Sequence, residues 1–380
     1  MHVLQISFFV DPRRRSPERL LEDWRTLEDI AVAVAVASAG ERVTVVQASL
    51  SPGAVTRRGV DFVFIAPGDS LARSDAFRAL LRHRAPDVLH VHGLDFSRDV
   101  LALRKAVPRV PILLQDHADH VPRLWRRAPW RRAAAAVDGV SFCACAQAEP
   151  FARAGLLPPH VRVFEIPEST SAFLPGDAAA SRAATGLHGD PAVLCVGHLD
   201  RNKDPLTVLD GVAAAVADLP NLELWCCFGS APLLPAVEAR IARDPKLRGR
   251  VHLLGRVPRE RVEQLMRAAD LFVLGSHREG SSFALIEALA TGLTPVVTDI
   301  PSLRALTGDG AVGALWPAGD STALARALAE AARARAETSR SAVLAHFQEQ
   351  LSGAALGRKL AAAYRELVTR PARAAHGDAA

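Results

Sequence analysis

The stretch Glu279-Gly-Ser-Ser-Phe-Ala-Leu-Ile-Glu287 sets a carboxylate on either side of a helix start. A short apolar run, Leu271–Leu274, precedes it and reads as a strand, and the helix begins near Ser282. Helix N-termini present free N–H groups and the positive end of the backbone dipole, which suits a diphosphate. Gly280 and the two serines let the backbone approach such a group closely. Glu287 lies about two turns further on, placed to accept hydrogen bonds from a ribose diol. Glu279 is placed to accept them from a sugar hydroxyl. The same residues also suit an ordinary helix start with an acidic first turn, and chemistry alone does not choose between the two.

Histidines gather in the first half. His90-Val-His92-Gly closes one apolar run, and Gln115-Asp116-His117-Ala-Asp119-His120 closes the next. His and Asp ligate zinc, but the spacing matches no closed zinc pattern. Gly308-x-Gly310-x-x-Gly313 spells a dinucleotide fingerprint, yet it follows a helix and leads into a strand, the reverse of what that chemistry needs. It reads as a glycine-rich turn. Arg123, Arg126, Arg127, Arg131 and Arg132 interleave with Trp125 and Trp130. That mixture suits an anionic membrane surface, and equally a solvated charge run broken by Pro122 and Pro129. In the loop 8–24, Asp11 and Arg13–Arg15 suit either an anionic acceptor or a solvated basic loop.

These residues need elements to hold them. Short β-branched runs alternate with Ala/Leu/Arg-rich helical stretches. The expected strands are Val3–Phe9, Val43–Gln47, Val60–Ile65, Val88–His92, Ile112–Gln115, Gly139–Cys145 and Val161–Ile166, then Val193–Gly197, Leu222–Phe228, Val251–Leu254, Leu271–Leu274, Pro295–Thr298 and Ala311–Leu315. Several are apolar throughout, as strands buried on both faces must be. Strand–helix alternation predicts parallel sheets covered by helices. The segment from Pro167 to Asp190, rich in Gly, Ala and Ser, interrupts the alternation and reads as a linker. Helices over about Ser321–Ala334, Ser339–Gln350 and Gly353–Val368 close the chain. The expected fold is α/β, with two tandem doubly wound, Rossmann-like domains facing a cleft. Ligands in such sheets bind outside the carboxyl ends of the strands.

Composition narrows the classes. At 380 residues, with 49% apolar and 23% charged residues, the chain is globular rather than collagenous or disordered. Its net charge of +5 permits an anionic partner without demanding nucleic acid. The five Cys fall in apolar runs without framework spacing, which predicts buried, reduced thiols in a cytosolic protein. No apolar run reaches the about 18 residues of a membrane helix, and the N-terminus lacks the order of regions in a signal peptide.

The second half resembles glycosyltransferase family 4, the retaining group with the two-domain GT-B fold. The carboxylate pair sits in "SHREGSSFALIEALATGLTPVVTD", similar to that family's Glu-x7-Glu signature. "VGHLDRNKDPLTVLDG" (196–211) resembles its strand–loop–helix that grips the donor diphosphate, and "FGSAP" (228–232) its glycine turn near the nucleotide. "RVHLLGRVPRERVEQLMRAADLFVLGS" (250–276) resembles the stretch whose backbone reads the base, and "GDGAVGALWPAGD" (308–320) the segment after the signature. The resemblance covers about Ala192 to Ala334.

By resemblance, Lys203 neutralises the diphosphate, with the amides of Ser282, Phe283 and Ala284. The family's usual Arg is replaced by His198, and the nearby Arg201 is placed to supply its charge. Glu287, Val257 and Gly229 are the nucleoside-binding candidates. Glu279 and His117 are the catalytic ones, His117 as the family's donor-sugar contact at the reaction centre. The family frequently follows that His with Asp; here Ala118 follows and Asp116 precedes. The glycine run that many members carry after strand one is missing.

The expected domains are 1–170 on the acceptor side, a linker at 171–190 and a nucleotide-sugar domain at 191–350, with a helix at about 353–368 packing back on the first. The expected function is retaining transfer from a nucleoside-diphosphate sugar to an unidentified acceptor. No cofactor and no metal are expected. A cytoplasmic place with a candidate peripheral membrane contact completes the expectation. A non-catalytic nucleotide-sugar-binding homologue, a sugar-nucleotide epimerase and a metal-dependent hydrolase are the alternatives.

Overall fold

The computed structural model describes residues 1–37, 41–117, 120–334 and 340–370. Asp119, Ser339 and the tail beyond Arg370 lie outside the described residues. The chain divides into two compact units: Met1–Thr170 with the chain from Gly353 onward, and Ser171–Ser352.

The first unit holds eight strands, β1 (His2–Ser7), β2 (Arg42–Ala48), β3 (Gly53–Arg57), β4 (Val60–Ile65), β5 (Val88–His92), β6 (Ile112–Gln115), β7 (Gly139–Phe142) and β8 (Arg162–Glu165). Their order is β3-β4-β2-β1-β5-β6-β7-β8. β1 is buried at every position, the polar His2, Gln5 and Ser7 along with Val3, Leu4 and Ile6. All pairings are parallel except β3 with β4, which form a hairpin closed by Arg58 (φ 50°) and Gly59 (φ 79°). Positive φ at both turn residues matches the right-handed twist of the flanking strands.

The helix Gly353–Thr369 belongs to this unit. Leu356, Leu360, Tyr364 and Leu367 recur on one of its faces and are buried beside Val3, Leu113 and Ile166. Burying each such leucine contributes about 1.5–3 kcal/mol.

The second unit holds β9 (Ala192–Gly197), β10 (Glu223–Phe228), β11 (Val251–Gly255), β12 (Leu271–Leu274), β13 (Thr294–Thr298) and β14 (Ala314–Trp316). All pairings are parallel, in the order β11-β10-β9-β12-β13-β14. The order reverses between β9 and β12, so the loops after these two strands flank the switch point where such sheets bind ligands.

Several expectations need correction. The segment 171–190 is not a bare linker, because it carries the helix Ala178–Thr185. Asp177 Oδ1 caps that helix through the N–H groups of Ala179 (2.8 Å) and Ala180 (3.0 Å). Arg182 fastens it by donating to Ala268 O (2.8 Å) and Asp270 Oδ2 (2.6 Å). The strand expected at Gly139–Cys145 stops at Phe142, which leaves Cys145 exposed while Cys143, Cys226 and Cys227 are buried. The last strand starts at Ala314 rather than Ala311, since Gly308, Asp309, Gly310 and Gly313 all take positive φ in the turn before it. A Cβ at Gly313 would lie 2.0 Å from the Pro295 carbonyl oxygen, so only glycine fits there.

Candidate functional site

Two loops meet at the switch point of the second unit. After β9, Asp200 Oδ1 accepts the Lys203 N–H (2.9 Å), and Asp204 (φ 44°) caps the helix Pro205–Ala215 by accepting from Thr207 N (3.3 Å) and Oγ1 (2.7 Å). The loop after β12 is laced to it: Asn202 Nδ2 donates to Arg278 O (2.9 Å), His277 N donates to Asn202 O (2.8 Å), and His277 Nε2 bonds Asp204 Oδ2 (2.9 Å). Gly275 makes this approach possible, for a Cβ there would meet Val208 Cγ2 at 2.9 Å and Lys203 O at 3.0 Å.

The lacing brings Lys203 and Glu279 together. The ammonium touches the carboxylate, and the side chains are only 20% and 12% exposed, so solvent screens the pair little. Ser276 Oγ donates to the same Glu279 oxygen at 2.6 Å. Thr298 Oγ1 in turn holds Ser276 O (2.6 Å), and Ser302 Oγ holds Glu279 O (3.1 Å). Ser276 opens the stretch that carries the carboxylate pair, but it was not singled out as a site residue.

The helix Phe283–Ala290 starts immediately beyond. Its N-cap, Ser282, makes no side-chain capping bond, so its hydroxyl does not cap the first-turn N–H groups. Ser281 Oγ is buried and has no hydrogen-bond partner. An orphaned hydroxyl next to an uncapped helix start is the setting of an anion site. Phe283 is exposed and Ala284 half-buried.

Glu287 sits on the same helix, paired with Arg259 at 2.6 Å. Burial pushes its carboxyl above the usual range, and the Arg259 charge opposes that push. Arg259 also lies 4.6 Å over the Phe173 ring. Val257, two residues before it, is half-buried in the loop after β11. The His198 ring and the Arg256 guanidinium flank Gly229, at 3.6 Å and 3.7 Å from where a Cβ would stand. His198 Nδ1 accepts the Ser230 N–H (3.2 Å), which leaves Nε2 to carry the ring proton. Arg201 is exposed in the turn between Leu199 and Lys203. Arg256 and Arg259 were not singled out from the sequence, although both fall inside the stretch 250–276.

His117 belongs to the first unit, directly after β6. Its Nδ1 faces Glu168 Oε2 (3.2 Å) and its Nε2 faces His92 Nδ1 (3.1 Å). His90 Nδ1 bonds Tyr364 Oη at 2.7 Å. Burial pushes His90 down to about 3 and holds His92 well below the usual imidazole range, so both rings stay neutral. Glu168 had no signal in the sequence. His120 does not join this chain; it lines a separate hollow of about 470 Å³ with Asp95, Arg123 and Trp125.

The basic segments divide. Asp11 accepts from Arg15 Nε (2.7 Å) and Nη2 (2.9 Å), and Arg15 also reaches Asp23, so these groups pair within the first loop, while Arg13 and Arg14 are exposed. Trp130 is core, stacked on Phe151 at 5.5 Å. Trp125 and Leu124 are 73% and 74% exposed.

A doubly wound sheet in each unit, with phosphate-compatible chemistry at a switch point, defines the GT-B class. A sucrose-phosphate synthase from Thermosynechococcus elongatus is similar with a TM-score of 0.68 at 20% identity, covering 96% of this chain and 98% of that one. Anabaena HepE in complex with UDP and glucose gives 0.65 at 17%, covering 97% and 100%. The family described as Glycosyl transferases group 1 matches residues 190–333. That match falls within the second unit, and this part of the chain is similar to that family. The GDP-mannose:cellobiosyl-diphosphopolyprenol alpha-mannosyltransferase of Xanthomonas campestris is 27% identical over 240 residues, 61% of either chain. The D-inositol 3-phosphate glycosyltransferase of Nocardia farcinica is 33% identical over 149 residues, 38% of this chain and 33% of the relative. The chain thus matches 61% of the length of the first of these relatives.

Proposed function

We propose that the chain transfers a sugar from a nucleoside-diphosphate donor to an acceptor hydroxyl, with retention of anomeric configuration. The Lys203–Glu279 contact at the switch point, beside an uncapped helix start, carries this reading. A bound diphosphate gives Lys203 a stronger partner and releases Glu279 to sugar hydroxyls. Glu287 takes the ribose hydroxyls, with Gly229 and Val257 beside the base. His117 contacts the donor sugar.

In the reaction, the bond between the anomeric carbon and the β-phosphate oxygen breaks. The acceptor oxygen bonds to the same face of that carbon, and its proton passes to the departing phosphate. Charge develops on the leaving oxygen. Lys203 and the amides of Ser282, Phe283 and Ala284 stabilise it, with Arg201 and His198 as auxiliary groups. The reading assigns no enzymic nucleophile, cofactor or metal to this step, and no nucleic-acid partner.

The acceptor is proposed to be presented at a membrane surface. Leu124 and Trp125 project beside Arg123 and Arg126, an apolar pair in a basic field. A relative is named for a diphosphopolyprenol-linked acceptor. Among the described residues, no helix is long and apolar enough to cross a membrane, and the reading places the chain on the cytoplasmic side as a peripheral protein.

Incubation with UDP-, GDP-, ADP- and dTDP-sugars, followed by assay of released nucleoside diphosphate, tests the reading. Release from one donor class that disappears in Glu279→Ala supports it. Nucleotide binding without release from any donor favours the non-catalytic alternative.

A further inference from the structure

The amino ends of β10 and β11 carry a second constellation, at the edge of the sheet opposite Lys203 and Glu279. One potential ligand atom from each of His188, Glu223 and His252 lies within 4.8 Å of the others. Glu223 opens β10, and His252 stands second in β11 in register with Trp225. His188 arrives from the segment after Gly186, which ends the helix Ala178–Thr185.

Each side chain is held. The His252 ring stacks on Trp225 at 3.9 Å and 17°, and its Nε2 meets Glu223 Oε2 at 2.9 Å. His188 Nδ1 donates to Gly186 O at 3.1 Å, which leaves the lone pair on Nε2. A backbone carbonyl on one ring nitrogen is the usual device that orients the other toward a metal. Trp225 Nε1 donates to His188 O at 3.0 Å and fixes the backbone there. Gly189 lets that backbone come in close, since a Cβ would stand 2.7 Å from Glu223 Cβ.

We propose that His188, Glu223 and His252 form a binding site for a divalent transition metal of the zinc type. Two imidazoles and a carboxylate suit zinc, copper or nickel over magnesium or calcium, which favour all-oxygen sets. Three protein ligands leave a position for water. The site ties the segment 186–190 to two strands of the second unit, so an ion there stabilises that unit and takes no part in the transfer chemistry. This inference does not depend on the proposed activity.

Calorimetric titration of the chelator-stripped full chain with zinc ions tests it, alongside thermal melting with and without zinc. The expected result is one zinc per chain and a raised Tm. His188→Ala and His252→Ala are each expected to weaken binding by more than the about 10–100-fold that altered outer-layer partners cost. Glu223→Gln keeps the side chain's volume and its hydrogen bond to His252, and is expected to weaken zinc binding while the metal-free Tm stays near wild type. His117→Ala is expected to leave the stoichiometry unchanged, which separates this site from the histidines of the first unit. No zinc binding by the wild type overturns the proposal, as does undiminished affinity in His188→Ala or in Glu223→Gln.

Discussion

Lys203 and Glu279, 76 residues apart in sequence, meet in a largely buried ion pair at the switch point of the second sheet. Each is held independently of the other, Lys203 by the turn on Asp200 and Glu279 by Ser276. A diphosphate can therefore part them without unfolding either loop. Glu279→Gln keeps the shape and an acceptor for Ser276 but removes the charge. It is expected to lower kcat about 10²–10³-fold, the range for losing one electrostatic contact to a reacting centre. Affinity for the nucleoside diphosphate alone is expected not to fall, since the diphosphate no longer competes with Glu279 for Lys203. Steady-state kinetics with calorimetry separate the two effects.

Glu287 gives the binding a pH dependence. Burial raises its carboxyl above the usual range against the pull of Arg259. Ribose hydroxyls donate to the ionised form, so nucleotide affinity is expected to fall as pH drops through that raised value. The stability contribution runs oppositely: a carboxyl raised in the folded state favours folding at low pH and loses that contribution as pH rises. Glu287→Gln is expected to weaken binding at neutral pH and to flatten both profiles. Calorimetric titrations and thermal melts over an acid-to-neutral series check this.

Much of this arrangement is legible in the sequence, because strand ends name the loops that must converge. The strands Val60–Ile65, Val88–His92, Ile112–Gln115 and Leu271–Leu274 fall where the apolar runs place them. What escapes is whatever depends on a distant partner. Arg259 faces Glu287, and Glu168 reaches His117 across 51 residues; no local pattern announces either. β3 escapes because it is a half-exposed edge strand with no apolar run, closed by Arg-Gly rather than the usual Asn-Gly turn. The segment 171–190 looks like a linker because its helix is short and Ala-rich, and its attachment rests on arginine side chains from Arg182 and Arg261.

The buried histidines of the first unit predict sensitivity to acid. His90 titrates near 3 and His92 well below the usual range, whereas both titrate near 6.5 when unfolded. The unfolded chain thus binds more protons, at His90 between about pH 6.5 and pH 3 and at His92 as pH falls below about 6.5, and stability is lost as pH falls. Each histidine adds a slope approaching about 1.4 kcal/mol per pH unit. Urea midpoints are expected to drop on acidification from neutral pH, and to drop less in His92→Gln.

The proposed membrane contact through Leu124 and Trp125 is expected to weaken on substitution. Each large apolar side chain that enters a bilayer interface contributes about 1.5–3 kcal/mol, so Trp125→Ser is expected to weaken association with anionic vesicles about tenfold or more. Added salt is expected to weaken the wild type as well, through Arg123 and Arg126. Cosedimentation with vesicles of anionic and of neutral lipid measures both effects.

The donor-diphosphate site is tested most directly by titrating UDP, GDP, ADP and dTDP into the wild type and Lys203→Ala. Lys203→Ala removes the cation that faces the diphosphate, so the loss of affinity is expected to be at least about tenfold, or 1.4 kcal/mol. The account predicts selective binding of one nucleoside diphosphate by the wild type and that loss in the variant, whose own Tm remains measurable. Equal affinity in the two proteins, or binding of none of the four nucleotides, would contradict it.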